Sequence, residues 1–331
     1  MIDFISISKA PQIFPTTSRL SAVDHWDHFL ARVGWKRGAH RVEPGLYALG
    51  SPTRESPVFV TGNYTLSFDA LRSALMGMDA YLLVLDTKGI NVWCAAGKGT
   101  FGTDEIVNRV FSTDLKNVVS HRRLILPQLG APGVAAHLVK KQTGFLVEYG
   151  PVRADDLPEY IKTHQATPEM RRVEFPLRDR LVLIPVDIVQ TFLPTLLAAI
   201  VLFFVGGWVF SLAAVAAVFG GIVLFPILLP WLPTHNFSTK GFFLGGLVSL
   251  PFAAAVLFGH SDWAWWRQAV QVLVFMLAMP AVTAFIALNF TGTSTFTSRS
   301  GVRREMYAYI PAMAWTFGIG ILLGIVSIFL H

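Results

Sequence analysis

The feature that most constrains this chain is an apolar run from residue 188 to residue 239 that contains no Asp, Glu, Lys or Arg. At about 20 residues for each crossing, a run of this length suits two membrane-spanning helices and is too short for three. Two adjacent glycines, Gly206 and Gly207, predict the turn between these helices. The chain is therefore predicted to be a membrane protein, and its mean hydropathy of +0.51 agrees with that prediction.

Three further apolar stretches follow in the C-terminal half. Residues 241–261 again carry no charged side chain, another stretch lies between Arg267 and Arg299, and the last runs from Tyr309 to His331. Together the stretches predict an all-α transmembrane domain of five helices, near residues 187–206, 209–231, 241–259, 268–290 and 309–330. Because five is odd, the two ends of the chain are predicted to lie on opposite faces of the membrane.

The positions of Lys and Arg predict the orientation in the membrane. Cytoplasmic loops are rich in these residues, and placing the N-terminal half in the cytoplasm leaves Arg267 outside. The basic residues that this orientation places inside are Arg171, Arg172, Arg178, Arg180, Lys240, Arg299, Arg303 and Arg304. The opening residues, MIDFISISKAPQ, lack the features of a signal peptide. We expect a multi-pass protein of the inner (cytoplasmic) membrane, with its N-terminal domain in the cytoplasm and its C-terminus outside.

Charged residues divide the chain into two parts. Of its 27 Lys and Arg and its 21 Asp and Glu, only 5 and 3 lie in residues 186–331, so the first part belongs in water. Anionic lipid accounts for the juxtamembrane part of the net charge of +6, and we expect no nucleic-acid partner. A single cysteine, Cys94, excludes an intrachain disulfide and leaves no second thiol for an iron–sulfur cluster in this chain.

The water-soluble part alternates short apolar runs with amphipathic stretches. The runs PVFVTG, AYLLVLD, RRLILP and GFLVEYG predict four strands, each followed by a helix. This pattern predicts an α/β Rossmann-like fold, with a doubly wound parallel sheet over residues 57–165. The predicted neighbours of this domain are an N-terminal extension (1–56), a juxtamembrane linker (166–185) and the transmembrane domain (186–331).

Ligands of such sheets bind beyond the carboxyl ends of the strands, which points to the loops 61–64, 86–99, 127–133 and 149–153. The loop after the second predicted strand is the longest of them. Its glycines 97, 99 and 102 match the G-x-G-x-x-G pattern of dinucleotide sites, but eleven residues separate them from Leu85 and no acidic residue lies near position 120. The same loop does not fit a phosphate-binding P-loop.

Small residues in this loop suit a large flat ligand that the main chain approaches closely. Cys94, beside Trp93, would then point to the centre of that ligand, and a thiolate is a strong donor to a soft transition metal. The alternative is an inert buried cysteine, and the residue pattern leaves both interpretations open. After the loop, Thr103 is the predicted N-cap of the next helix.

Residues 91–99, NVWCAAGKG, resemble the cap-helix signature of the mercury-methylating corrinoid membrane proteins, the HgcA family. The surrounding stretch, from about residue 57 to residue 161, resembles the corrinoid-binding domain of the large subunit of the corrinoid iron-sulfur protein. That family also carries five C-terminal membrane helices. The first 56 residues carry none of this resemblance.

The resemblance implies a corrinoid-dependent methyltransferase, an enzyme that passes a methyl group from cobalt to inorganic Hg(II) and so forms methylmercury. It implies a cobalamin-type corrinoid as cofactor, with Cys94 as the catalytic residue and the lower axial ligand of cobalt. The expected cofactor-binding residues are those of the signature together with small or polar residues of two neighbouring loops. They are Asn91, Val92, Trp93, Cys94, Ala95, Ala96, Gly97, Lys98, Gly99, Thr61, Gly62, Asn63, Gly130 and Gly133.

The expected partners also follow from the resemblance. They are a ferredoxin-like protein with two 4Fe-4S clusters (HgcB), a methyltetrahydrofolate-linked methyl donor protein, Hg(II) and the lipid bilayer. Two other functions stay open. One is a membrane-attached corrinoid methyl carrier of one-carbon metabolism of the acetyl-CoA pathway type. The other is a cobalamin sensor or store on a membrane anchor.

Overall fold

The computed structural model describes residues 12–36, 38–290 and 299–329, and for Arg299 the backbone alone. The chain divides into two compact units. The first, here the α/β unit, holds the described residues up to Ala31 and those from Trp35 to Val173; the second, the helical unit, holds Arg32–Gly34 and the described residues from Glu174 onward.

The α/β unit is built on one six-stranded sheet. Its strands are β1 (Ile13–Thr16), β2 (Gly45–Leu49), β3 (Val58–Gly62), β4 (Ala80–Leu85), β5 (Arg123–Leu126) and β6 (Leu146–Tyr149). Their order across the sheet is β1-β2-β4-β3-β5-β6. The four predicted strands are β3 to β6 and all of them run parallel, which confirms the predicted α/β class.

Two strands of this sheet lie in the segment that the sequence assigns to an N-terminal extension. β2 runs antiparallel to β4, and β1 runs parallel to β2, so the sheet is mixed. The side chains of Leu46 and Leu49 in β2 are buried in the core. The sheet therefore begins before residue 57. The strand GLYAL is short and stands alone between glycine- and proline-containing turns, without the following helix that marks the other strands.

Helices cover both faces of the sheet, and strands such as β4 are buried along their whole length, as parallel strands between two helical layers are. The helices of this unit are α1 (Ala22–Arg32), α2 (Thr65–Ala74), α3 (Val92–Lys98), α4 (Thr103–Ser112), α5 (Leu115–Val118), α6 (Ala136–Thr143), α7 (Leu157–Thr163) and α8 (Pro168–Arg171). A 3-10 turn, Gln128–Gly133, follows β5 and another, Ala154–Asp156, precedes α7. One core includes residues of α3, α4 and α6, and the other includes residues of α2 and α7.

The helical unit contains α9 (Leu177–Leu181), α10 (Ile184–Phe219), a π-helical turn (Gly220–Leu224), α11 (Phe225–Leu228), α12 (Phe237–Gly259), α13 (Trp265–Phe290) and α14 (Arg299–Phe329). Within the described residues, four helical segments are long and apolar enough to cross a membrane: Leu177–Leu228, Phe237–Gly259, Trp265–Phe290 and Ser300–Phe329. These segments are consistent with a multi-pass membrane protein. The first two predicted spans, near residues 187–206 and 209–231, both lie largely within the first of these segments, Leu177–Leu228.

That first segment nevertheless folds back on itself. The Arg180 guanidinium Nη1 donates hydrogen bonds to the carbonyl oxygens of Pro226, at 2.6 Å, and Ile227, at 2.9 Å. In a straight α-helix two residues 46 positions apart would be separated by about 69 Å, at 1.5 Å for each residue. The backbone leaves the helical region at Gly207, with φ 74° and ψ −167°. The segment thus reverses at the predicted glycine pair.

Close packing of α12 on α13 depends on two glycines one turn apart. A Cβ on Gly241 would lie 2.6 Å from the Cα of Ala284, and one on Gly245 would lie 2.5 Å from the Cα of Pro280. Small residues four positions apart let apolar helices approach closely, which is the main source of helix association in lipid.

Candidate functional site

The signature residues 91–99 form one capped helix, α3, which starts soon after the carboxyl end of β4. The Asn91 side-chain oxygen accepts a hydrogen bond from the backbone N–H of Cys94 at 2.8 Å, which is an N-cap. Gly99 ends the helix in the left-handed conformation, with φ 84°, and its N–H donates to the carbonyls of Ala95 and Ala96. The first and last residues of the signature therefore fix the bounds of the helix.

The two faces of α3 differ in what they contact. Val92, Ala95 and Ala96 are buried in the core of the α/β unit. The remaining residues of the helix face away from that core, and they are Trp93, Cys94, Gly97 and Lys98. Cys94 is half-buried, whereas its neighbour Ala95 is fully buried in the core.

Gly97 leaves room beside Cys94 on this outer face. Apart from its two chain neighbours and the nearby backbone of α3, no described atom lies within 4 Å of the position that a Cβ on Gly97 would occupy, and apart from its chain neighbours the same holds at Gly99. The two positions lie three and five residues after the cysteine. A flat group could therefore rest against the backbone of α3 at the Cys94 side chain.

The loop that leads from β4 into α3 is held by Asn63, which follows β3. The buried Asn63 side-chain oxygen accepts from the N–H of Thr87 at 3.0 Å, the Thr87 hydroxyl at 2.9 Å and the N–H of Gly89 at 3.0 Å. Its amide nitrogen donates to the Asp86 carboxylate at 3.2 Å. These four hydrogen bonds hold the loop between β4 and α3 in place.

A second support comes from α4. The Glu105 carboxylate accepts a hydrogen bond from the N–H of Asp86 at 2.9 Å and forms an ion pair with Arg109 at 2.7 Å. The predicted N-cap at Thr103 is wrong: α4 begins after Gly102, and the Thr103 hydroxyl accepts from the N–H of Ala135 at 2.9 Å. The hydroxyl therefore joins α4 to the chain that enters α6.

The 3-10 turn after β5 packs directly on α3. A Cβ on Gly133 would lie 2.2 Å from the carbonyl oxygen of Phe101 and 3.0 Å from the Cα of Ala96. One on Gly130 would lie 2.4 Å from the Phe101 ring. The Tyr149 hydroxyl donates to the carbonyl of Val134 at 2.8 Å, and burial raises the pKa of this phenol, so it stays a donor at neutral pH. Gly133 thus allows a close backbone contact with α3 and Phe101, and Gly130 leaves room for the Phe101 ring.

The residues named from the sequence thus divide by position. Thr61 and Asn63 are buried, and Gly62, Gly130 and Gly133 pack against Thr87, Phe101 and Ala96. The outer residues of α3 and the exposed Gly99 remain open to a ligand. Sequence reasoning missed the supporting residues Thr87, Glu105 and Arg109. The position of Thr87 just after a buried strand was the available signal.

The fold and site define an α/β ligand-binding domain with an open-faced helix at the carboxyl edge of its sheet, joined to a helical unit with candidate membrane spans. Residues 36–161 match the family described as CO dehydrogenase/acetyl-CoA synthase delta subunit. The match includes β2, which the predicted domain boundary at residue 57 leaves out.

Two relatives show the extent of the similarity. The acetyl-CoA decarbonylase/synthase complex subunit gamma of Methanopyrus kandleri is 34% identical over 128 residues, which are 38% of this chain and 27% of that protein. The corrinoid/iron-sulfur protein large subunit of Moorella thermoacetica is 29% identical over 153 residues, 44% of this chain and 34% of that protein. The predicted similarity of the domain to that large subunit is confirmed. The chain spans about a third or less of the length of these relatives.

Proposed function

We propose that this chain is a membrane-bound corrinoid-dependent methyltransferase that passes a methyl group to inorganic Hg(II). In this proposal the α/β unit would bind a cobalamin-type corrinoid, and the Cys94 sulfur would be a ligand of its cobalt. The observation that carries this proposal is the position of Cys94 on the open face of α3, beside a glycine and at the carboxyl edge of the sheet.

The residues present fit such a cofactor. The glycine-lined surface beside Cys94 offers main chain, without side chains, to a flat macrocycle. Among the described residues there is no group of three or more His, Cys, Asp or Glu side chains that could hold a metal ion. A metal at Cys94 would therefore arrive with most of its ligands already in place, as cobalt does in a corrin ring. The name of the Moorella relative, a corrinoid/iron-sulfur protein, supports the same cofactor.

Each open residue of α3 has a role in this proposal. The Cys94 thiolate is the donor, and the cap by Asn91 fixes the turn of helix from which it projects. Trp93 and Gly97 border the ligand, and the positive charge of Lys98, four residues after Cys94, favours the thiolate. A bound corrinoid would supply a transferable methyl group, and the Cys94 thiolate, as a strong donor, would favour its transfer to Hg(II), a soft electrophile.

The partners in this proposal are those that the resemblance implies. The electrons come from the ferredoxin-like HgcB with its two 4Fe-4S clusters, and the single cysteine of this chain is consistent with a separate electron donor. The methyl group comes from a methyltetrahydrofolate-linked donor protein. The α/β unit works in the cytoplasm, at the inner membrane, with the C-terminus of the chain outside.

The second candidate is a membrane-attached corrinoid methyl carrier of one-carbon metabolism. It is favoured by the names of the relatives, which are subunits of acetyl-CoA decarbonylase/synthase complexes or of a corrinoid/iron-sulfur protein. In this candidate the cysteine is replaceable. Cys94→Thr would preserve a methyl carrier but not a mercury methyltransferase.

The test uses the purified full-length protein, loaded with methylated corrinoid and given Hg(II) and reduced ferredoxin. The wild-type protein should form methylmercury, and its absorption and EPR spectra should show sulfur ligation of cobalt. Cys94→Ala should abolish both properties, whereas Ser112→Ala, on the exposed end of α4, should retain them. A Cys94→Ala protein that methylates Hg(II) at the wild-type rate would contradict the proposal, and so would a wild-type protein that binds no corrinoid.

A further inference from the structure

Helix α1 packs with its charged side against α2, within the α/β unit. Asp24 forms an ion pair with Arg72 of α2 at 2.9 Å, and His28 lies 2.7 Å from Asp69 of the same helix. Arg72 and Asp69 are themselves buried and paired at 2.6 Å. Charged side chains on one turn of α1 thus hold it against the α/β unit. A helix of an ordinary soluble domain would instead bury apolar side chains at such a contact.

The opposite side of α1 is aromatic and exposed. Trp26 is 61% exposed and Phe29 is 53% exposed, and their rings stack with centroids 5.3 Å apart. Val23, at 75%, continues the same surface, and none of the residues of α1, all of which are described, is buried. A helix with this reversed polarity leaves its apolar face for something outside the α/β unit.

Basic residues border this aromatic face. Arg32 at the end of α1 and Lys36 just beyond it are exposed. Arg32 belongs to the helical unit, where it lines a cavity of about 510 Å³ together with Arg178 and four apolar residues. Those apolar residues, from the start of the first candidate membrane span, are Leu177, Leu181, Val182 and Pro185. A cavity lined by two arginines and four apolar residues has the composition that suits an anionic headgroup and the start of its acyl chains.

We propose that α1 is an interfacial membrane helix, which lies in the headgroup layer of the bilayer that this chain spans. Trp26, Phe29 and Val23 enter the acyl boundary, and Arg32 and Arg178 bind the phosphate of an anionic phospholipid. Aromatic and aliphatic side chains on one face with basic residues beside them are the composition of such helices. The proposal concerns neither corrinoid nor mercury, so it stands or falls independently of the proposed function.

The test places a photoreactive phenylalanine analogue, benzoyl-phenylalanine, at Phe29 in the full-length protein. The matched control is the same analogue at Phe111, which is 61% exposed at the end of α4. Both proteins are reconstituted in liposomes of phosphatidylcholine and phosphatidylglycerol, irradiated and analysed by mass spectrometry. We expect roughly tenfold more phospholipid adduct at position 29 than at position 111. Equal adduct at the two positions, or cross-links from position 29 to protein, would overturn the proposal.

A second experiment tests the anionic headgroup. In the position 29 protein, Arg32→Gln with Arg178→Gln should abolish the excess of phosphatidylglycerol over phosphatidylcholine among the adducts. Lys141→Gln, an exposed charge at the end of α6, should leave that excess unchanged. If the two arginine substitutions leave the preference intact, the assignment of Arg32 and Arg178 is overturned. If each variant retains its helical content, the loss of the phosphatidylglycerol preference does not result from unfolding.

Discussion

At the scale of single residues, the signature in α3 combines three kinds of constraint in nine positions. Asn91 and Gly99 fix the ends of the helix, and Val92, Ala95 and Ala96 pack in the core. Only the outer residues are left for a ligand. The constraint at Gly97 is of a different kind, because the described protein has room for a larger side chain there.

This difference makes Gly97→Ala a direct test of ligand contact. Alanine favours a helix over glycine by about 1 kcal/mol, so the variant should fold at least as stably as the wild-type protein. Its added methyl group should nevertheless keep a flat ligand away from Cys94 and weaken corrinoid binding about tenfold or more, measured by titration. Gly246→Ala, at another helical glycine with open space around it, is the control and should bind normally. Unchanged affinity in Gly97→Ala would show that the ligand does not rest on α3.

The sequence predicts residue roles well where one local rule decides them. The four parallel strands are evident because each is a short apolar run followed by an amphipathic helix. The burial of Asn63 and the contact of Gly133 with the Phe101 carbonyl depend on loops that are far apart in the chain and meet only in the folded sheet. Local spacing contains no information about such contacts, so the sequence alone does not predict them.

At the scale of elements, an ion pair holds α1 against α2, while the apolar face of α1 points away from the α/β unit. Burial acts to raise the pKa of Asp24, but hydrogen bonds from Ser21 and the ion pair with Arg72 outweigh it and lower that pKa below its ordinary value of 3.8. The carboxylate form is thus favoured in the folded state. Its contribution to the docking of α1 is present above pH 3.8 and is lost as the pH falls through the lowered pKa.

We therefore predict that α1 loses protection on acidification before the sheet does. The measurement is amide hydrogen exchange of residues 22–32 as a function of pH, corrected for the intrinsic pH dependence of exchange. In Asp24→Asn the protection of α1 should be weaker at neutral pH and should change less below pH 3.8. Equal acid sensitivity of α1 in the two proteins would show that another group holds the helix.

At the scale of the whole molecule, the reversal within the first apolar segment bears on the topology. We predict that Leu177–Leu228 crosses the membrane twice because of this reversal and that each of the three later segments crosses once, which is an odd number of crossings. Counting continuous helices alone gives four and would place both ends of the chain on one side.

The topology can be measured with reporters fused to the full chain. A reporter after His331 should be active outside, and one inserted after Pro233, between α11 and α12, should be active in the cytoplasm, because two crossings precede it. Cytoplasmic activity of the C-terminal reporter would mean an even number of crossings. A reporter at the N-terminus, expected in the cytoplasm, serves as the control.

Gly207 also affects whether the number of membrane crossings is odd or even. Its backbone adopts a conformation that side chains disfavour, with φ 74°, so the fold-back depends on the one residue type that enters it without strain. In the predicted topology, a substitution there that straightened the segment would move every later loop to the opposite side of the membrane, although the sequence of those loops would be unchanged.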